Sequence, residues 1–190
     1  MVSSELLNNP LSKMNEAYRR VKINLDNHKN YKKLQITSSS QVENSVNVAF
    51  NLAKCYIEEN RSVLILDFTS SQKGLSDSII NKTNCEENIT DYQGIKYLCG
   101  GSLLPSLTIL LQINENIELI NMISSKFDLV IIVTSSIILS SLPLLIDKVS
   151  DGCIFIVSKA KTNKELAKEA ITSLKRNNVK IIGTIVTDNK

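Results

Sequence analysis

Short apolar, β-branched runs recur along this chain, separated by longer amphipathic segments. The strand candidates are residues 33–37 (KLQIT), 63–67 (VLILD), 129–133 (LVIIV), 153–158 (CIFIVS) and 181–186 (IIGTIV), with 95–98 a shorter one. The middle runs are apolar on both faces, as expected for a parallel sheet covered by helices from either side. Residues 45–59 place Val46, Ala49, Phe50, Ala53, Tyr56 and Ile57 at helical spacing. Residues 163–177 repeat the pattern with Leu166, Ala170, Ile171 and Leu174, and Asn177-Asn178 supplies a stop. A further helix over residues 12–25 precedes the first strand. Such alternation predicts an α/β fold, a mostly parallel sheet with helices on both faces. A length of 190 residues suits one domain, 1–190, around a single core.

Composition narrows the function classes. Only 5% of residues are aromatic and Trp is absent, which argues against a stacking platform for single strands. The net charge of +3 is too small to argue for a nucleic-acid partner, and none is expected. The positive excess is local. Residues 10–33 carry Lys13, Arg19, Arg20, Lys22, Lys29, Lys32 and Lys33 against Glu16 and Asp26. That stretch reads either as a solvated helix face or as a patch facing an anionic membrane surface. Cys55, Cys85, Cys99 and Cys153 have neither zinc-site nor disulfide-framework spacing, and read as buried small hydrophobes in a reducing cytoplasm. No metal site is expected. The single histidine, His28, lies in a polar run that reads as a loop, so no catalytic triad is built on it. Residues 129–146 carry no charge, yet Ser, Thr and Pro interrupt them, so they read as a buried strand, a loop and a short helix. Residues 1–10 lack a signal-peptide pattern, and a cytoplasmic location is expected. Residues 81–88 are expected to form the most mobile loop.

Ligands of such folds bind beyond the carboxyl ends of the strands. Here those ends read Thr37-Ser38-Ser39-Ser40-Gln41-Val42-Glu43-Asn44-Ser45-Val46-Asn47, then Asp67-Phe68-Thr69 with Gly74-Leu75-Ser76-Asp77 beyond it, and Val133-Thr134-Ser135-Ser136. Before the first strand stands Glu16-Ala17-Tyr18-Arg19-Arg20-Val21-Lys22. In this order the motifs resemble the cytoplasmic kinase domain of the bacterial tyrosine kinases, which serve capsule and exopolysaccharide synthesis. The resemblance runs over nearly the whole chain and implies a P-loop NTPase-like fold of the deviant-Walker, MinD/ParA-like type. It assigns Glu16, Arg19 and Lys22 to subunit contacts within an N-terminal helical oligomerisation segment, residues 1–30, with Lys22 in place of the family's second arginine. The alternative for these three is an exposed helix carrying local ion pairs from Glu16 to Arg19 or Arg20.

The departures from the family pattern fall on the chemistry. A phosphate cradle needs glycines, a lysine and a magnesium-binding hydroxyl. Where the family reads Pro-Gly-Glu-Gly-Lys-Ser-Thr, this chain reads Gln41 to Asn47. Val42 and Asn44 replace the glycines, Ser45 the lysine and Val46 the hydroxyl. Asp67 matches one carboxylate after the second strand, but Thr69 replaces the next, Val133 the Walker B aspartate, and Ser135-Ser136 two prolines. The family's C-terminal tyrosine cluster has no counterpart within the sequence. Asp67 either keeps a weak cation or polar contact or caps Ser70 or Ser71 in a turn. Ser38, Ser39, Ser40 and Ser45 either hold an anion at a helix N-terminus, or Asn44 or Ser45 caps that helix. The resemblance thus implies a catalytically degenerate relative, a regulatory or scaffolding partner with no cofactor. Its partners would be itself, an active kinase paralogue, or the cytoplasmic tail of a membrane polysaccharide chain-length regulator, at the inner face of the membrane. The alternative is an ATP- and Mg²⁺-dependent tyrosine kinase whose atypical site is completed by a membrane partner.

Overall fold

The computed structural model describes residues 13–40 and 44–187. Seven strands form one sheet: β1 (Lys33–Ser38), β2 (Val63–Asp67), β3 (Thr90–Tyr92), β4 (Ile95–Cys99), β5 (Leu129–Val133), β6 (Gly152–Ser158) and β7 (Ile181–Thr187), in the order β3-β4-β2-β5-β1-β6-β7. All neighbours are parallel except β3, which turns back on β4 as a short antiparallel edge. The strand pleat sends alternate residues to opposite layers. Leu129, Ile131 and Val133 of β5 face one core, while Val130 and Ile132 face the other.

The first layer is made by α1 (Lys13–His28) and α2 (Ser45–Ile57), with Val48, Ala49, Leu52, Ala53 and Tyr56 buried against the sheet. The second layer holds α3 (Leu75–Asn81), α4 (Leu104–Leu110), α5 (Asn114–Ser124), α6 (Leu142–Ile146) and α7 (Lys164–Arg176). Asn163 caps α7, its side chain accepting from the backbone N–H groups of Glu165 and Leu166 at 2.8 and 3.2 Å. The expected stop is present: Asn178 takes the left-handed conformation at φ 60°, and the Val179 N–H donates to the Leu174 carbonyl at 3.0 Å. All four cysteines are buried and free. No helix among the described residues is long and apolar enough to cross a membrane.

Several expectations need correction. His28 is not in a loop but is the last residue of α1. Residues 81–88 are not an open loop. They hold the end of α3 and a 3-10 turn, Cys85–Asn88, whose Cys85 is buried, and the Asn88 amide donates to the Ser78 hydroxyl at 2.8 Å. The helix read over 45–59 stops at Ile57, where Asn60, at φ 60°, turns the chain toward β2. Strand β3 and helices α3, α4 and α5 were not expected from the pattern. Residues 1–12, which open the anticipated oligomerisation segment, lie outside the described residues.

Candidate functional site

The carboxyl ends of β1, β5 and β2 lie side by side, with Ile36 opposite Val133 and Val133 opposite Asp67. Backbone bonds knit these ends together: the Thr134 N–H donates to the Ile36 carbonyl at 3.0 Å and the Phe68 N–H to the Val133 carbonyl at 2.9 Å. The structure thus brings together the sequence positions that resemble a nucleotide site. Their side chains, however, face other tasks.

Val133 is fully buried and packs in the core beneath α2. A carboxylate there would be buried in the apolar core that includes Val48, Ala49 and Leu52. Val46 is half-buried and packs against the same core. Asp67 is 2% exposed. Its Oδ1 accepts from the backbone N–H of Thr69 at 2.8 Å and from the Thr69 hydroxyl at 2.6 Å. Its Oδ2 accepts from the Tyr97 hydroxyl. Burial and then the Asp67 charge push the Tyr97 phenol well above its usual range, so it remains a donor. The expected cap of Ser70 or Ser71 is therefore corrected: the Asp67 side chain holds Thr69 and Tyr97, and the Ser70 N–H donates to the Asp67 backbone carbonyl, at 3.4 Å. The residue in the second acidic position has become a ligand of the first.

The serines after β1 and β5 form a second network. The Ser136 hydroxyl donates to the Ser39 carbonyl at 2.6 Å, and the Ser38 hydroxyl to the Ser40 carbonyl at 2.7 Å. Thr37 donates to the Ser135 carbonyl at 2.9 Å. Where the family pattern has two prolines, Ser135 and Ser136 thus supply an acceptor and a donor that bind the first strand's exit to the fifth's. Gln41, Val42 and Glu43 lie outside the described residues. Asn44 takes the N-cap position of α2, its carbonyl accepting from the Val48 N–H at 3.1 Å, but its side chain makes no capping bond. Of the two expected candidates, Asn44 thus holds the cap position, through its backbone carbonyl and not its side chain. Ser45 is buried at the start of the helix.

Gly74-Leu75-Ser76-Asp77 forms a clasp. Asp77 Oδ2 accepts from the backbone N–H groups of Gly74 and Ser102 at 2.8 and 3.0 Å, and the Ser102 hydroxyl donates to Oδ1. A Cβ on Gly74 would stand 2.1 Å from the Cys99 carbonyl oxygen, so only glycine permits this approach. Burial opposes ionisation of Asp77, but the bonds from Ser102 and Gly74 outweigh it and hold the carboxyl below its usual value.

On α1, Lys22 is 6% exposed, with its ammonium 2.8 Å from Asp26 and 2.7 Å from Glu59 and over the Tyr56 ring. Burial would lower its pKa, but the two carboxylates reverse this and leave it raised. Arg19 pairs with Glu58 at 3.1 Å, and Glu16 pairs with Arg20 at 3.5 Å. Of the three residues assigned to subunit contacts, Arg19 and Lys22 thus tie α1 to the end of α2, and Glu16 stands on the outer face with Arg20 and Ile23. Tyr97, which completes the Asp67 arrangement, was missed. The only sequence sign was a tyrosine in an apolar strand, and it becomes telling once β4 is known to lie beside β2.

No family model matches the chain. The tyrosine-protein kinase YwqD of Bacillus subtilis (strain 168) is 25% identical over 198 residues, covering 95% of this chain and 84% of that protein. The kinase domain of the Escherichia coli tyrosine kinase ETK superposes with a TM-score of 0.84 at 20% identity, over 95% of this chain and 77% of that one. The chain is similar to the bacterial tyrosine kinases in sequence and in fold. A wider fold likeness reaches the MinD cell division protein of Aquifex aeolicus, with a TM-score of 0.64 at 16% identity over 84% of this chain and 70% of that one. The tyrosine-kinase-like fold is therefore that of P-loop NTPases. Both oxygens of Asp67 are engaged, Val133 fills the core, and Val46 offers no hydroxyl.

Proposed function

We propose that this tyrosine-kinase-like protein transfers no phosphate and acts by protein contact, as a regulatory or scaffolding partner in capsular or exopolysaccharide biosynthesis. The observation that carries this reading is the conversion of the metal-side carboxylate into an internal lock, Thr69–Asp67–Tyr97, beside a core-filling Val133. Phosphoryl transfer depends on electrostatic stabilisers around the phosphates, and a carboxylate spent on a tyrosine and a threonine supplies none. Its partners are a second copy, an active kinase paralogue, or the cytoplasmic tail of a membrane chain-length regulator. The outer stripe of α1, with Glu16, Arg20 and Ile23 exposed, supports a subunit contact there better than the inward Arg19 and Lys22. The basic N-terminal stretch supports a position at the inner face of the membrane.

The test is calorimetric titration with MgATP and MgADP, with and without such a tail, alongside phosphotyrosine detection after incubation. Tail binding without nucleotide heat or phosphotyrosine is expected. Autophosphorylation by the pure protein overturns the reading. One observation favours a second reading, an atypical kinase completed in trans: the similar YwqD is named a tyrosine-protein kinase. Under that reading nucleotide binds only with the tail present, and Asp67→Ala abolishes activity rather than lowering stability alone.

A further inference from the structure

Among the described residues β7 pairs only with β6, which leaves its other edge open. Exposed edges in natural sheets are usually blunted by charge, proline or bulges. The β7 sequence IIGTIVT has neither charge nor proline, and its single register irregularity lies near its start, opposite Cys153 and Ile154. Val186 is 63% exposed, and a Cβ added at Gly183 would meet nothing within 4 Å.

A groove flanks this strand on each face. On the α7 side, about 590 Å³ lies over an apolar floor of Val157, Ala167, Ile171 and Val186. Lys159, Lys164, Lys168 and Lys175 line the same groove, and no acidic side chain does. None of the four lysines forms an ion pair among the described residues. The Ser158 hydroxyl, buried beside them, has no hydrogen-bond partner among the described residues. On the α1 side, a groove of about 780 Å³ is lined by Ile182 and Ile185 together with His28, Lys29 and Lys180, again without a carboxylate.

We infer that β7 is a docking edge for an extended, acidic segment of a partner protein, which adds as an eighth strand. A strand beside β7 gains main-chain hydrogen bonds, and its alternating side chains reach one groove on each face. Apolar residues meet the floors, and acidic residues meet the lysines. A second copy of this chain is disfavoured as the occupant, because edge-to-edge pairing would bring the two sets of lysines together. A nucleic acid would leave the apolar floors unused.

The inference is independent of whether the chain binds nucleotide. Its test uses the full chain and a fluorescein-labelled peptide, Glu-Glu-Val-Thr-Ile-Thr-Val-Glu-Glu, followed by anisotropy. Saturable binding is expected, weakening with salt and by about tenfold or more in the Lys168→Glu/Lys175→Glu variant. A Val186→Asp variant, which changes only an exposed position, weakens it as well. Amide exchange in β7 slows when the peptide is bound. Absence of saturable binding, binding indifferent to the charge reversal, or unchanged exchange in β7 overturns the inference. So does binding of phosphatidylserine vesicles in place of the peptide with loss in the same lysine variant, which would assign the lysines to a membrane.

Discussion

Asp67 shows how one residue type serves different ends in different company. A carboxylate at the end of a buried strand is costly unless its oxygens are satisfied. Thr69 satisfies one oxygen and Tyr97 the other. Removing the Tyr97 hydroxyl leaves a buried carboxylate oxygen without a donor. Tyr97→Phe, which keeps the ring against Phe50, should therefore lower stability by about 1–3 kcal/mol in urea unfolding. An unchanged midpoint would show that Oδ2 has another partner and that the lock is not structural. The substituted positions of the site were legible in the sequence, because Val46, Thr69 and Val133 stand where a hydroxyl and carboxylates are expected. The lock was not. Tyr97 lies thirty residues from Asp67, and their contact depends on β4 pairing with β2, a register that local pattern does not encode.

At the scale of elements, the contact of α1 with α2 turns on Lys22. Its ammonium spans both helices, reaching Asp26 on α1 and Glu59 just past α2. Because those carboxylates are 35% and 57% exposed, they rehydrate when the lysine is lost, so the cost stays modest. Lys22→Met, which keeps the packing on Tyr56, should cost about 1 kcal/mol at neutral pH by thermal or urea unfolding. The raised folded pKa sets the sign. The contribution is complete below the ordinary lysine value and disappears as pH climbs through the raised one, so the gap between variant and parent should close in that alkaline window. A gap that widens with pH, or a variant whose only change is a smaller assembled mass, would make Lys22 a subunit contact instead. Elements were legible where burial is two-sided or the helix stripe is long: β2 and β5 coincide with their apolar runs, and α7 with its stripe between Asn163 and Asn177. They were illegible where those signals fail. The three residues of β3 are all exposed and owe their strand to pairing with β4 alone. Helix α3 is seven residues long, and it starts where it does because Asp77 and Gly74 clasp the loop after β4, a contact between distant segments.

The whole molecule places its most buried strands at the centre and its least covered ones at the rim. β2 and β5 are buried at every position and β1 at all but its first, whereas β7 is nowhere fully buried and β3 is exposed throughout. Opening an inner strand exposes two cores at once, while releasing β7 uncovers little apolar surface, so local openings should begin at the rim. Native-state amide exchange should therefore be slowest in β5, β1 and β2, and fastest among the strands in β3 and β7. The same experiment reads the site within its scaffold. The exits of β1 and β5 are already joined by Ser136 to Ser39 and by Thr37 to Ser135. MgATP at millimolar concentration should accordingly leave exchange over residues 37–47 and 67–69 unchanged, while an acidic strand partner slows β7 alone. Slowing at the first two segments on adding nucleotide would mean that the serine network yields to phosphate and that the fold has kept its ancestral ligand. Protection confined to β7 would instead mean that binding has moved from the strand ends to the sheet edge.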